Sequence, residues 1–363
     1  MIISRYLIKE ALSTLVAVIF VLLLVFLSQQ LVRYLGYAAS GKIAANILFQ
    51  VVAFEIPNLL ALLLPLSLFL GIVLTYSRLY VDNELRVLHA CGLSTQRLIG
   101  ITCSLALFIA LILMGLMLWV NPHIAADKQK TLASGSADNL LNTLMPGRFQ
   151  VSSDGRRVVY VERMSRNHKK ASNLFIAEQG IDTAGDNSAP WTVLSAANGY
   201  QTIERGTAQP LVVAEKGYRY EGVPGQNDYK IIQFEKYAVQ IPDIRLNTNR
   251  QIEEAIPTSK LLAHYNKDLE SVSELQWRLS IPLSALLLAL LAIPLSRVPP
   301  RQGRYTMLLP AILIYVLYMN LLFLGRNLLE QKIFPLAWGL WWVHVSIFML
   351  VVGLMFMRRM RVL

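Results

Sequence analysis

Six stretches of this chain run for eighteen or more residues without a Lys, Arg, Asp or Glu: 11–32, 56–77, 98–126, 279–296, 305–325 and 333–357. At about 1.5 Å per residue each is long enough, as a helix, to cross about 30 Å of hydrocarbon. A helix also satisfies its own backbone polar groups there, which an isolated strand cannot do. The pattern predicts a polytopic α-helical membrane protein with six spans, three on either side of a long polar interval. Hydrophobic residues make up 55% of the chain and charged residues 16%, a balance that leaves room for one soluble part. The first stretch lacks a short apolar core with a small-residue cleavage site and runs straight on to Arg33, so it reads as a span and not a leader.

Charge placement sets the orientation. An even number of spans puts both termini on one side. Near that side lie Arg5, Lys9, Arg78, Arg86, Arg97, Arg297, Arg301, Arg304, Arg358, Arg359 and Arg361, eleven cations against Arg33, Lys42, Arg326 and Lys332 in the opposite short loops. The bias places the termini and the loops at 78–97 and 297–304 in the cytoplasm, and 127–278 in a periplasm-like space. The net charge of +11 does not argue for nucleic acid. Residues 127–278 hold nineteen Lys+Arg and eighteen Asp+Glu, so about +10 belongs to the membrane half, where topology accounts for it.

Between the second and third stretches lies LYVDNELRVLHACGLS, residues 79–94, polar enough to leave the membrane. Asp82 or Asn83 is placed to cap a short helix, Glu84 suits its first turn, and Gly92 is placed to end it in the left-handed conformation. Leu85, Leu88 and Cys91 are spaced i, i+3, i+6, which predicts an apolar face in need of a partner. From spacing alone, a linker lying on the membrane surface ranks slightly above a docking helix. Cys91 and Cys103 are about 18 Å apart if helical, too far for a disulfide, and His89 stands alone, so all three read as structural.

The lead MIISRYLIKE, with Ile3, Tyr6 and Leu7 on one face, is expected to lie in the cytoplasmic interface. Arg33 follows the first span. It either snorkels to headgroups or pairs with a bound lipid's phosphates, and snorkelling is the simpler reading. GYAASGKI at 36–43 imitates a phosphate loop but has Ile43 where a magnesium-binding hydroxyl belongs, and it follows a membrane helix instead of a strand; it is rejected. Pro57, Pro65, Pro282, Pro294 and Pro310 fall in or beside apolar stretches and suggest kinks. None of the six stretches carries an acidic, basic or paired ionisable group at mid-depth, which counts against an ion-coupled transporter. In the third, WVNPH at 119–123 reads as an interfacial aromatic and a helix breaker.

Residues 124–145 read as helix or loop. From Gly147 the period becomes two, with short Val-, Ile-, Tyr- and Phe-rich runs separated by Gly, Asn, Asp and Pro, as in an antiparallel sandwich or open barrel. No nucleophile elbow or paired histidines occur in it, so a binding groove or scaffold outranks an enzyme. The helical pattern returns at 251–278. RVPPRQGR at 297–304 makes a stiff basic corner, facing lipid on charge alone. The resulting organisation is 1–126 as an N-terminal transmembrane half with a cytoplasmic helix at about 82–92, 127–278 as the strand-rich domain with flanking helical segments, and 279–363 as a C-terminal transmembrane half.

Five motifs, RYLIKE near the start, LPLSLFLG at 64–71, LHACGLS at 88–94, ELQWR at 274–278 and PRQGR at 300–304, stand in an order and at separations that resemble the lipopolysaccharide-export permease family over the whole chain. The HACGLS run points to its F-type rather than its G-type branch. The resemblance implies a heterodimer with a G-type permease subunit, and below it a dimer of cytoplasmic ATPase subunits. It also implies a single-span membrane subunit, a periplasmic jellyroll bridge protein, and lipopolysaccharide taken from the outer leaflet of the bacterial inner membrane. No cofactor is implied, and any ATP hydrolysis is expected in the partner. By the same resemblance, residues Glu84, Leu85, Leu88, His89, Cys91 and Gly92 form a coupling helix seated in the ATPase. Arg33 and the nearby Gln30 fall where the family contacts lipid phosphates, and the inserted all-β domain is a periplasmic jellyroll. A membrane scaffold with a partner-binding domain and an ion-driven lipid flippase are the alternatives.

Overall fold

A computed structural model describes residues 2–39, 43, 45–137, 146–151, 155–165, 170–180, 190–203, 210–226, 228–239, 253–263, 269–299, 303, 305–333 and 338–360. Helix α1 spans Ile2–Ala39 and α2 spans Leu48–Val81, entered through a 3-10 turn at Ala45–Ile47. The short α3 is Glu84–Ala90, α4 is Thr95–Gly115, and a π turn at Leu116–Val120 leads into α5, Asn121–Ala137. Strands follow: β1 Phe149–Val151, β2 Arg157–Met164, β3 Lys170–Gln179, β4 Trp191–Ile203, β5 Pro210–Gly222 and β6 Lys230–Val239. The chain closes with α6 Thr258–Ala263, α7 Leu269–Leu295, α8 Leu308–Glu330 and α9 Trp341–Met360.

Five helices among the described residues are long and apolar enough to cross a membrane: α1, α2, the continuous Thr95–Leu132, α7 and α8. The chain divides into two compact units. One joins Met1–Gln29, Phe54–Ala126 and Asn249–Leu363; the other joins Gln30–Ala53 and Asp127–Thr248. In the helical unit α7 is the centre, with 78% of its most apolar window buried against 11% for α1. Proline does not break these helices. Pro57 and Pro65 lie inside α2, and Pro282 and Pro294 inside α7. Pro310 falls in the first turn of α8, where a missing N–H costs little.

The expected break at WVNPH is corrected. Pro122 deprives the Leu118 carbonyl of its i+4 donor, and the helix absorbs the ring with the π turn at Leu116–Val120. Thr258 supplies the donor that is lost, its hydroxyl giving a hydrogen bond to Leu118 O at 2.6 Å. A neighbour that satisfies the freed carbonyl allows the helix to continue through proline.

Where α7 begins and α8 ends, four buried charges meet. Glu274 Oε1 accepts from Arg278 Nε at 2.8 Å and its Oε2 accepts from Arg326 Nη2 at 2.9 Å. Arg326 Nε also donates to Glu330 Oε1 at 2.9 Å, and Glu253 Oε2 stands 3.9 Å from Arg326. Arg278 spends its remaining donors on Thr258 Oγ1 at 2.9 Å and on the carbonyls of Glu253 and Glu254 at 3.3 and 3.1 Å. Arg326, expected as a loop cation, is thus a helix residue only 3% exposed. It and Arg278 stand one residue outside the charge-free stretches, which is why they were not read as a pair. Inside the sixth stretch, His344 is buried between Tyr318 Oη at 2.6 Å and Ser280 Oγ at 2.9 Å. Gln276 Oε1 accepts from Leu340 N at 3.0 Å, and the neighbouring Gly339, at φ +33, has no room for a Cβ, which would sit 1.8 Å from that oxygen.

The strands form one antiparallel sheet in sequence order, β1-β2-β3-β4-β5-β6. Neither a second packed sheet nor a closed barrel occurs among the described residues. One face buries Val159, Val161, Leu174, Ile176, Leu194, Ala196, Val212 and Ala214 together. A line of residues crosses the sheet without pairing: Glu162, Asn173, Ala197, Lys216 and Glu235 are each passed over while the register on either side is kept. Asn173 and Lys216, on alternate strands of that line, both have φ 53, the left-handed region that twists a strand out of its pleat. The sheet is therefore creased across its width.

Glu253 lies outside the spanning helices, and burial, reinforced by the Glu270 and Glu274 carboxylates against the opposing pull of Arg326, pushes its carboxyl up to about 7. The folded protein then keeps a proton that the unfolded chain releases from 4.5 upward. That contribution to stability is full below pH 4.5 and is lost as pH rises to about 7. Thermal unfolding in detergent should show a Tm that falls from about pH 5 to about pH 8. Glu253→Gln, neutral throughout, should flatten the slope; an unchanged slope would assign it to other groups.

Candidate functional site

The polar segment between α2 and α4 is built from a left-handed turn, a short helix and a second left-handed turn. Helix α2 ends with Asp82 N donating to Arg78 O at 2.9 Å, and Asn83 takes φ 60, which Asn tolerates. The expected side-chain cap is corrected: neither Asp82 nor Asn83 caps α3, and Asn83 Oδ1 instead accepts from Arg86 Nη1 at 3.1 Å. Gly92, at φ +95, ends the segment as expected, and the Ser94 side chain caps α4 by accepting from Arg97 N at 3.2 Å.

The apolar face of α3 has its partner within the chain. Leu85 is 0% exposed and belongs to the core of the helical unit, with Leu88 partly buried against it. Cys91 is exposed. Two steps of three residues advance a helix by about 600°, which leaves Cys91 roughly 120° away from Leu85, so the three never share a face fully. His89 is half-buried, its Nδ1 2.5 Å from Leu93 O. The outward surface is Glu84, Arg86, Val87, Ala90, Cys91 and Gly92. Leu85, one of the residues expected in the coupling helix, anchors α3 to this core.

The lead sequence is not a separate interfacial segment. It is the first part of α1, with Leu7 buried in the same core as Leu85. Tyr6 Oη donates to Glu84 Oε2 at 2.8 Å, and Arg78 pairs with Glu10 at 3.0 Å. Sequence reasoning gave Tyr6 no part in this site; no local signal marks it, because its partner lies 78 residues away.

Toward the other end of α1, Arg33 is exposed and its guanidinium lies over the buried Tyr34 ring at 5.3 Å. Lys128, from α5, approaches the same ring at 6.0 Å, so Tyr34 gathers two cations. Gln30 Oε1, one turn before Arg33, is buried without a hydrogen-bond partner among the described residues. Gly36 lies inside α1, in a helix and not in a phosphate loop; residues 40–42 of that lookalike fall outside the described residues. Pro300, Arg301, Gln302 and Arg304 of the basic corner also fall outside them.

On the creased sheet Phe149, Tyr160, Phe175, Ser195 and Tyr218 are register partners in one row. They line a groove of about 510 Å³ together with Asn173 and Lys216 from the crease. Phe149 stacks on Tyr160 at 4.6 Å and meets Phe175 edge-on at 6.4 Å. Such a surface accepts apolar chains along its aromatic wall and presents a cation and an amide at its margin.

Residues 5–359 match the family model of the lipopolysaccharide export system permease LptF/LptG. The chain is 34% identical over 347 residues to the lipopolysaccharide export system permease protein LptF of Escherichia coli K12, covering 95% of this chain and 92% of that protein. Proteins of the same name from Escherichia coli O157:H7 and Shigella flexneri align to the same extent. The chain belongs to the LptF/LptG permease family. The family is one of export-system permeases, and the match runs through both the helical unit and the inserted sheet.

The α3 geometry separates anchoring from contact in this LptF/LptG-family chain. Leu85→Ala should lower thermal stability by about 2–5 kcal/mol and open 82–94 to protease, the cost of emptying a buried site. Cys91→Ser, on the exposed side, should stay within about 0.5 kcal/mol. Equal effects from the two would contradict the inward placement of Leu85.

Proposed function

We propose that the chain is the F-type permease subunit of an ATP-driven exporter that takes lipopolysaccharide from the outer leaflet of the bacterial inner membrane. The observation that carries this reading is the near-complete match to LptF proteins, which covers the coupling segment, the sheet and both sets of helices. In this reading α9, 20 residues from Trp341, is the sixth crossing, residues 1–126 and 279–363 are two transmembrane halves, and both termini lie in the cytoplasm. The insert at 127–278 lies in the periplasm, and its six-stranded meander is the main part of a jellyroll. A G-type subunit completes the cavity, an ATPase dimer sits below it, and a single-span subunit and a periplasmic bridge protein complete the path.

The ATPase meets the outward surface of α3 through Glu84, with Gly92 and Cys91 at the far end. Leu85 and Leu88 hold α3 to the core, so closure of the ATPases moves the bundle as well as the helix. The cavity between the two permeases narrows and the lipid is expelled. Arg33, with Gln30 beside it, engages the lipid phosphates, for which a guanidinium offers paired donors. The acyl chains pass to the aromatic groove, since each methylene left in water costs about 0.8 kcal/mol.

The test is Glu84→Ala in the reconstituted complex, assayed for co-purification of the ATPase subunits and for lipopolysaccharide release from proteoliposomes given ATP. Release should fall at least about tenfold, the loss of about 1.4 kcal/mol that one charged contact supplies. Full release would place the drive elsewhere. Arg33→Glu should lower the lipopolysaccharide carried through purification while the ATPase stays bound; unchanged lipid would remove Arg33 from the phosphate site.

A further inference from the structure

The inner end of α1 is fastened by a single stripe. Tyr6 Oη donates to Glu84 Oε2 at 2.8 Å, Glu10 Oε2 meets Arg78 Nη2 at 3.0 Å, and Thr14 Oγ1 accepts from Thr75 Oγ1 at 3.0 Å. These three positions recur every four residues, so they lie one above another on the helix. Beside them Leu7, Ala11 and Leu15 are 0%, 2% and 3% exposed, in the same core as Leu85. The Tyr6 ring is therefore carried on a fixed part of the fold, while Glu84 is an exposed side chain with several rotamers open to it.

A carboxylate has about four acceptor positions over its two oxygens. The phenol takes one on Oε2 and leaves Oε1 open. We infer that Tyr6 is a positioning residue for the ATPase contact: its hydroxyl holds the Glu84 carboxylate in the orientation that a partner cation meets, and it makes α1 a carrier of the push. This rests on the coupling role given to Glu84 above.

The experiment uses the full complex with wild type, Tyr6→Phe, Glu84→Gln and the double variant. Two quantities are read, the affinity for the ATPase subunits and the lipopolysaccharide released per ATP hydrolysed. Tyr6→Phe removes one oxygen and keeps the ring. It should weaken ATPase binding three- to tenfold and lower release per ATP, and the double variant should be no worse than Glu84→Gln. A simple brace would instead give losses that multiply in the double variant, which overturns the inference. Wild-type behaviour of Tyr6→Phe beside a weakened Glu84→Gln also overturns it and leaves the coupling role of Glu84 standing. Wild-type behaviour of Glu84→Gln sinks both.

Discussion

The Glu274 carboxylate, with one oxygen on Arg278 and the other on Arg326, is the contact on which the helical unit most depends. In a bilayer, apolar side chains gain little by meeting one another, because lipid tails are equally apolar, so polar contacts and close packing hold helices together. Removing one member of such a cluster leaves a buried charge uncompensated, at a cost of about 3–5 kcal/mol. Here one carboxylate joins the start of α7 to the end of α8, and Arg278 extends the link to α6 and the turn at 253–256. Lower on α7, Gln276 and Ser280 repeat the device toward α9 through Leu340 N and His344. Helix α7 is thus tied to α6, α8 and the start of α9 by different polar side chains.

The opposite end of the unit uses the same chemistry more openly. The Arg78–Glu10 pair and the Tyr6–Glu84 hydrogen bond are partly exposed, and exposed ion pairs are worth about 1 kcal/mol or less. Glu274, 3% exposed, and Glu84, on the surface, thus put one closed and one open polar end into a single chain.

Much of the fold is legible in the sequence, because its strongest signals are the ones the membrane enforces. Charge-free length marks six stretches, five of which are long apolar helices and the sixth of which holds a shorter apolar helix, Trp341–Met357, and the change to period two after Gly147 marks the strands. The errors fall where a distant residue overrides a local rule. Pro122 reads as a breaker until Thr258 supplies its missing donor; Arg326 reads as a loop cation until Glu274 draws it inside. Leu85 shows as part of an apolar face, but spacing does not tell whether that face turns to its own bundle or to another protein. The crease was hidden because Asn173 and Lys216 sit in runs whose alternation is otherwise regular. At the candidate site, Glu84, Arg33 and Gly92 stood out, whereas Tyr6 and Lys128 did not, since nothing near them in the chain announces Glu84 or Tyr34.

The hydrogen bond from Thr258 to Leu118 has a consequence for how this architecture tolerates change. It joins the part of the helical unit that precedes the inserted unit, Phe54–Ala126, to the part that follows it, Asn249–Leu363. The insert is thus a loop whose ends are closed by the membrane half and not by its own sheet. Once closed, a doubling of such a loop costs only about 0.6 kcal/mol in entropy. A change in the length of the insert therefore costs little where the helices keep this stitch.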